Sequence, residues 1–181
     1  RKLLAAFGLP QDIWRHDPSA WSAVVGDRVA RSLSVVPPDL AASQSRLEAW
    51  LDRGDCHLIT LADPRYPQAL LHTADPPLTL HVHGQVDVLA HPRLLAVVGS
   101  RNPTPQGEAN ARLFSRSLAE AGVGIVSGLA LGIDGAAHTG ALEGGGPTVA
   151  VVGTGLDTVY PRRHESLARQ MVESGGAIVS E

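Results

Sequence analysis

Cys56 is the only cysteine and Lys2 the only lysine among 181 residues, and aromatics are limited to three tryptophans, two tyrosines and two phenylalanines. A single cysteine excludes an intramolecular disulfide, and the plainest reading of Cys56 is a small buried hydrophobe. The formal net charge of -3 excludes a uniformly basic coat. Positive charge rests almost wholly on arginine, whose planar fork suits phosphate oxygens better than an ammonium group does. Genomic base composition produces the same preference, so the sequence leaves both origins open. Glycine and proline interrupt every apolar run well short of membrane-spanning length, and residues 1–20 lack the apolar core of a signal peptide. A cytoplasmic protein without a membrane partner is the expectation.

Catalytic signatures are missing as well. No GxGxxG follows the apolar run at 94–98, and no GxxxxGK[ST] occurs anywhere. Ser127 does not lie in GxSxG and Ser100 has no evident base, which argues against a serine hydrolase. His81 and His83 alternate onto one face of a strand, but no third ligand lies near them in the sequence, so zinc is not expected. Nothing names a nucleophile, a metal or a cofactor; the reading of the chain as a binding protein and not an enzyme comes from a family resemblance carried by motifs further along the chain.

Three apolar runs in the second half each break at glycine: LLAVVGSR at Gly99, GIVSG at Gly128 and TVAVVG at Gly153. They belong to a regular alternation of strand 94–98, helix 105–121, strand 123–127, helix 133–143, strand 148–152, helix 163–174 and strand 177–180. Strands alternating with helices of this length imply right-handed βαβ units and a parallel sheet. In such a sheet the three glycine breaks open onto one edge, where open α/β folds bind ligands. Punctuation supports the boundaries: Thr104 caps a helix beginning at Pro105, with Leu113, Phe114, Leu118 and Ala121 as its buried stripe. Upstream, His57–Leu61 and Leu78–His83 are strand-like. Residues 1–54 read as a small helical domain, with Leu47, Trp50 and Leu51 as the stripe of its last helix; Trp14, Trp21 and Trp50 suit either a small core or a contact surface, and a core is the expectation. Residues 55–181 form the α/β domain. The helical domain is expected to lack part of its start, because the chain opens inside a helical pattern.

A strand end that feeds a helix N-terminus offers backbone N–H groups and a positive dipole end to an anion. At the first break, Gly99, Ser100, Arg101 and Asn102 add a hydroxyl, a guanidinium and an amide; the alternative is a tight turn at Gly99 with Arg101 paired to a carboxylate. The second break carries Gly128, Ala130, Gly132, Asp134 and His138. There Ile133, Ala137 and Ala141 give a nearly bulk-free helix face, Asp134 is read as a helix cap, and His138 either holds the loop or touches a ligand. At the third, Tyr160, Arg162 and Arg163 suit a phosphodiester and a base or sugar, or else form an exposed turn with Tyr160 packed on Pro161. Arg112 and Arg116 are read as solvated helix charges.

The segments VVGSRNPTPQG, SGLALGIDGAAHTGAL and VVGTGLDTVYPRRHESL, in this order and spacing, closely resemble the DprA/Smf DNA-processing proteins. The likeness runs from about Leu61 to Glu181, and the helical start resembles the family's SAM-like domain more loosely. The resemblance implies a doubly wound, extended Rossmann-like α/β domain that holds single-stranded DNA during natural transformation, protects it and helps load the recombinase RecA. It also implies a homodimer. Gly99, Ser100 and Arg101 match the family's phosphate-gripping loop. Gly128, Ala130, Gly132, Asp134 and His138 match a second signature around the same pocket, and Tyr160 with Pro161 a third. Family members continue past Ser180 and Glu181 into an arginine-rich loop, so part of the pocket is expected to lie outside this chain, and His164 stands where many members have asparagine. A competing reading is a nucleotide hydrolase of the lysine-decarboxylase-like, phosphoribohydrolase type. Its PGGxGT signature is not matched by the GGGPT of Gly144 to Thr148.

Overall fold

A computed structural model describes all residues from Arg1 to Glu181, which divide into two compact units, Arg1–Trp50 and Leu51–Glu181.

The first unit is helical: α1 (Lys2–Phe7), α2 (Pro10–Ile13), α3 (Pro18–Val25), α4 (Asp27–Leu33) and α5 (Leu40–Leu51), the last ending at the boundary. Asp17 caps α3 by accepting from the N–H groups of Ser19 and Ala20, with Pro18 at the first helical position where no donor is needed. These hydrogen bonds, that to the Ser19 hydroxyl first, hold the Asp17 carboxyl below the usual carboxylate range. Of the three tryptophans only Trp21 is buried; its indole N–H donates to Ile13 O at 2.9 Å. Trp14 meets it edge to face but is 60% exposed, and Trp50 is half-buried. The assignment of all three to a core is therefore corrected: so small a unit encloses one large indole. The stripe of α5 is likewise only half-buried, and no residue of that helix is fully covered.

The second unit is a mixed α/β sheet with strands β1 (Cys56–Thr60), β2 (Thr79–Gly84), β3 (Leu94–Ala96), β4 (Gly124–Ser127), β5 (Thr148–Val151) and β6 (Ala177–Ser180) in the order β1-β2-β6-β5-β4-β3. From β3 to β6 the neighbours are parallel, and β1-β2 and β2-β6 are antiparallel. Helices α7 (Pro105–Glu120), α8 (Ile133–Glu143) and α9 (Glu165–Glu173) connect the parallel strands; α6 (Gln68–Leu71) is a single turn. On the helix face, Ile125 packs with Ala119, Ala137 and Ala141, and Ala150 and Ile178 pack with Ala168 and Met171. On the opposite face, Val149, Ala177 and Val179 pack with Tyr66 and with Val86, Val88 and Leu89 of a short 3-10 turn. β4, β5 and β6 are thus covered by apolar residues on both sides, as runs without polar alternation require, whereas the edge strand β3 stays largely exposed.

The stripe expected on α7 is not the one that is buried. Leu113 and Phe114 are 60% and 66% exposed and Ala121 is exposed, whereas Ala111, Ser115 and Ala119 are covered. The reason is close approach: a Cβ on Gly140 of α8, or on Gly144 just past its end, would collide with the carbonyl oxygen of Arg112 or Arg116 respectively. Two helices this near admit only small side chains between them, which turns the large ones outward. Across the same contact Arg112 makes a two-point ion pair with Glu143 of α8, whereas Arg116 pairs with Glu120 one turn along its own helix, so both half-exposed arginines are paired.

Candidate functional site

The parallel strands all end on one side, and their three glycine breaks form a connected structure there. Ile133 N–H donates to Ser100 O at 3.1 Å, tying the second loop to the first. Gly132 makes this possible: its φ is +78°, and a Cβ would meet Pro103 Cδ at 2.6 Å and also strike the Ser100 carbonyl. Ser127 Oγ donates to Val97 O at 2.6 Å, and Ser180 Oγ donates to Thr154 O at 2.7 Å, fixing the second and third strand ends to their neighbours.

The third loop is pinned to the second by His164. Its Nδ1 donates to Leu129 O at 2.9 Å, and its ring lies where a Gly135 side chain would be, with Cε1 2.8 Å from the position of a Cβ. Leu129 is 1% exposed and has φ +60°, the only non-glycine residue in that region. His164 and Leu129 organise the site without having been assigned a role from the sequence; the signal available was the LALGID segment, too short to place glycine at the left-handed position.

These ties enclose a cavity of about 240 Å³ lined by Arg101, Gly128, Ala130, Leu131, Val152, Gly153, Thr154, Tyr160 and Pro161, drawn from all three junctions. Arg101 stands exposed at its edge with no salt bridge, so the alternative in which a carboxylate neutralises it does not hold. No hydrogen bond within the protein uses the N–H of Gly128, Gly153 or Thr154. A free guanidinium and backbone donors around a small concavity suit a singly charged oxyanion group. Tyr160 is 67% exposed and borders both this cavity and a neighbouring one of about 760 Å³ that includes Arg162, so its ring is open rather than stacked away.

Other assigned residues have different places. Gly99 packs against Ile133, and Ser100 Oγ accepts from Asn102 N–H at 3.0 Å, so that hydroxyl shapes its own turn; Ser100 and Asn102 are exposed but do not line the small cavity. Asp134 is 7% exposed and accepts from Ala130 N–H at 3.3 Å. It closes the loop and does not cap α8, whose cap position is Gly132. The N-terminus of α8 is largely occupied from within, since Ile133 and Gly135 donate to Ser100 O and Ala130 O. The open helix end expected here is therefore corrected: the loops wrap back over it.

His138 is fully buried and lines none of the cavities described. Thr148 donates its hydroxyl proton to Ile125 O, so His138 must donate from Nδ1 to Thr148 Oγ1, at 2.7 Å, leaving Nε2 unprotonated and unpartnered. Burial pushes the imidazole down to about 3, and it stays neutral. A ligand contact for His138 is excluded; it belongs to the packing between α8 and the sheet. Arg162 is 92% exposed and pairs with Glu165 at 3.3 Å, while Arg163 lines a separate cavity of about 620 Å³ with Gly132 and Arg112. The GGGPT segment lies at the far end of α8, with Gly146 against Ala119, away from the cradle. No helix is long and apolar enough to cross a membrane.

The fold and this cradle define an α/β protein whose unpaired donors gather at the carboxyl edge of a largely parallel sheet, the edge at which open α/β folds bind ligands. Residues 57–181 match the DNA recombination-mediator protein A family, and the chain belongs to it. It is 43% identical over 171 residues to protein Smf of Escherichia coli, covering 93% of this chain and 46% of that protein. It is 40% identical over 130 residues to the DNA processing protein DprA of Streptococcus pneumoniae, covering 67% of this chain and 45% of that one. The chain thus spans a little under half the length of these relatives. The solved DprA of S. pneumoniae superposes with a TM-score of 0.62 at 30% identity, over 91% of this chain and 60% of that one. A structure concerned with the single-stranded DNA binding mode of DNA processing protein A from Helicobacter pylori superposes at 0.59 with 33% identity, over 68% of this chain and 55% of that one.

Proposed function

We propose that this chain holds single-stranded DNA, gripping phosphodiester groups in the cradle between the three strand ends. The observation that carries the reading is the 240 Å³ cavity built jointly by all three junctions, with the unpaired Arg101 at its edge. Tyr160 offers the one exposed aromatic face beside it, so binding rests on phosphate contacts with little base stacking and little sequence preference. Family membership and the DNA-binding relative support the same polymer.

Within this reading the protein acts in the cytoplasm during transformation and recombination, without catalysis or a cofactor. It protects incoming DNA, hands it to RecA and works as a homodimer. Fluorescence anisotropy with a labelled single-stranded oligonucleotide, duplex competitor and AMP tests the ligand. Retention of the single strand, weakening steeply with salt, is the expected result. Thermal stabilisation by AMP with no oligonucleotide binding would assign the cradle to a mononucleotide and its hydrolysis instead.

A further inference from the structure

Away from the cradle, β1 and β2 bring together three different metal-ligating side chains. Cys56 lies directly opposite His83 in the antiparallel register, so the two project to the same face, and Asp55 precedes Cys56 in the chain. Asp55 Oδ2 is 3.0 Å from His83 Nε2, and Cys56 Sγ is 3.5 Å from Asp55 Oδ1. All three ligand atoms lie within 4.8 Å of one another. In a tetrahedral site, metal-ligand lengths of about 2.0–2.3 Å put neighbouring ligand atoms roughly 3.3–3.7 Å apart, so side-chain adjustment of an ångström or less closes the arrangement. The sequence conceals the group because its members are separated by the whole β1–β2 connection: His83 alternates with His81 along β2, while Cys56 opens β1 and Asp55 precedes it.

A second feature points the same way. Asp55 and His83 form one end of the 760 Å³ cavity, the largest described, which gives an ion a route in and room for a fourth ligand; Glu173 lines the same cavity. We propose that Asp55, Cys56 and His83 bind one divalent transition-metal ion, zinc by preference, at the β1–β2 end of this cavity. One thiolate, one carboxylate and a neutral imidazole balance a 2+ ion, and the sulfur–nitrogen pair selects zinc or cobalt over magnesium and calcium, which require oxygen cages. Binding breaks the S–H bond, releases its proton to solvent and leaves the sulfur electron pair on the metal. The fourth position is filled by water from the cavity. This inference does not depend on the DNA reading.

The test uses the tag-free full chain with zinc alone, and then cobalt as a spectroscopic probe. Saturable binding of one zinc per chain is expected, weakened at least about tenfold by His83→Ala and by Cys56→Ser. Cobalt should give visible bands of a four-coordinate ion and a near-ultraviolet thiolate band that Cys56→Ser abolishes. Because His83 is partly exposed, His83→Ala keeps the test decisive should the buried Cys56 variant fold poorly. Absence of saturable zinc binding, or binding that His83→Ala leaves unchanged, overturns the proposal.

Discussion

His164 Nδ1 donates to the carbonyl oxygen of Leu129 across 2.9 Å, and Leu129 is the one non-glycine residue held at positive φ. A leucine in that region is disfavoured by roughly 1–2 kcal/mol, so the loop after β4 keeps its shape only while something outside it holds the peptide. The imidazole does so from the third loop, and its position depends on Gly135 leaving space beneath the ring. Two of the three loops that form the cradle therefore share one support.

Replacing His164 with alanine removes that support. The expected cost is about 1–2 kcal/mol from the lost hydrogen bond and the carbonyl left without a partner, visible as a lower denaturation midpoint. Oligonucleotide affinity should fall as well, although His164 need not touch DNA. Unchanged stability and unchanged affinity together would show that Leu129 is held by its own packing.

Arg101 and Arg112 make an internal comparison. Arg101 is unpaired at the cradle, whereas Arg112 is already neutralised by Glu143 on the helix face. Arg101→Ala should weaken single-strand binding strongly and lower the slope of log affinity against log salt by about 0.7, the value for one phosphate contact on a single strand. Arg112→Ala should leave both affinity and slope unchanged. Equal losses for the two variants would indicate a diffuse electrostatic surface and no defined cradle.

Gly132 is constrained twice over, by torsion and by space. Its positive φ and the proximity of Pro103 and the Ser100 carbonyl mean that Gly132→Ala adds both torsional strain and a collision. A loss of at least about 1–2 kcal/mol is expected from the torsion alone. The first and second loops should also separate, detectable as faster amide exchange of Ile133, whose N–H donates to Ser100 O. Gly145→Ala, with positive φ but open space around it, is the control for strain without collision.

The parallel strands, the order of helices and the convergence of three glycine breaks were legible because each leaves a local mark: an uninterrupted apolar run, a cap at Thr104, a glycine at a strand end. Leu113 and Phe114 were misplaced because periodicity identifies large apolar residues and cannot see that Gly140 on another helix and Gly144 just past its end have made room only for alanine and serine. Asp134 fits the pattern of a cap, yet its carboxylate reaches backward to Ala130 once Gly132 takes the cap position. The cavity itself depends on Leu129 and His164, 35 residues apart, and no local pattern pairs them.

His138 makes a prediction about acid. Buried and neutral in the folded protein, with its proton affinity depressed from 6.5 to about 3, it takes up a proton below pH 6.5 only when the chain unfolds. The unfolded state then binds more protons, so this contribution to stability is complete above pH 6.5 and is lost progressively as pH falls toward 3. The slope approaches 1.4 kcal/mol per pH unit, giving a loss of up to about 2 kcal/mol between pH 6.5 and 4.5. Across that interval Asp17, Asp63 and Glu143, whose carboxyl groups are held below their usual range, are common to the intact chain and to a His138 variant, so the difference between the two isolates the imidazole. Urea denaturation of the intact chain and of His138→Leu at half-unit steps across it should therefore show the intact chain losing stability relative to the variant as pH falls. Leucine retains the apolar contacts and leaves Thr148 donating to Ile125, so parallel curves would mean that the imidazole is protonated in the folded core and that Nε2 has found an acceptor there.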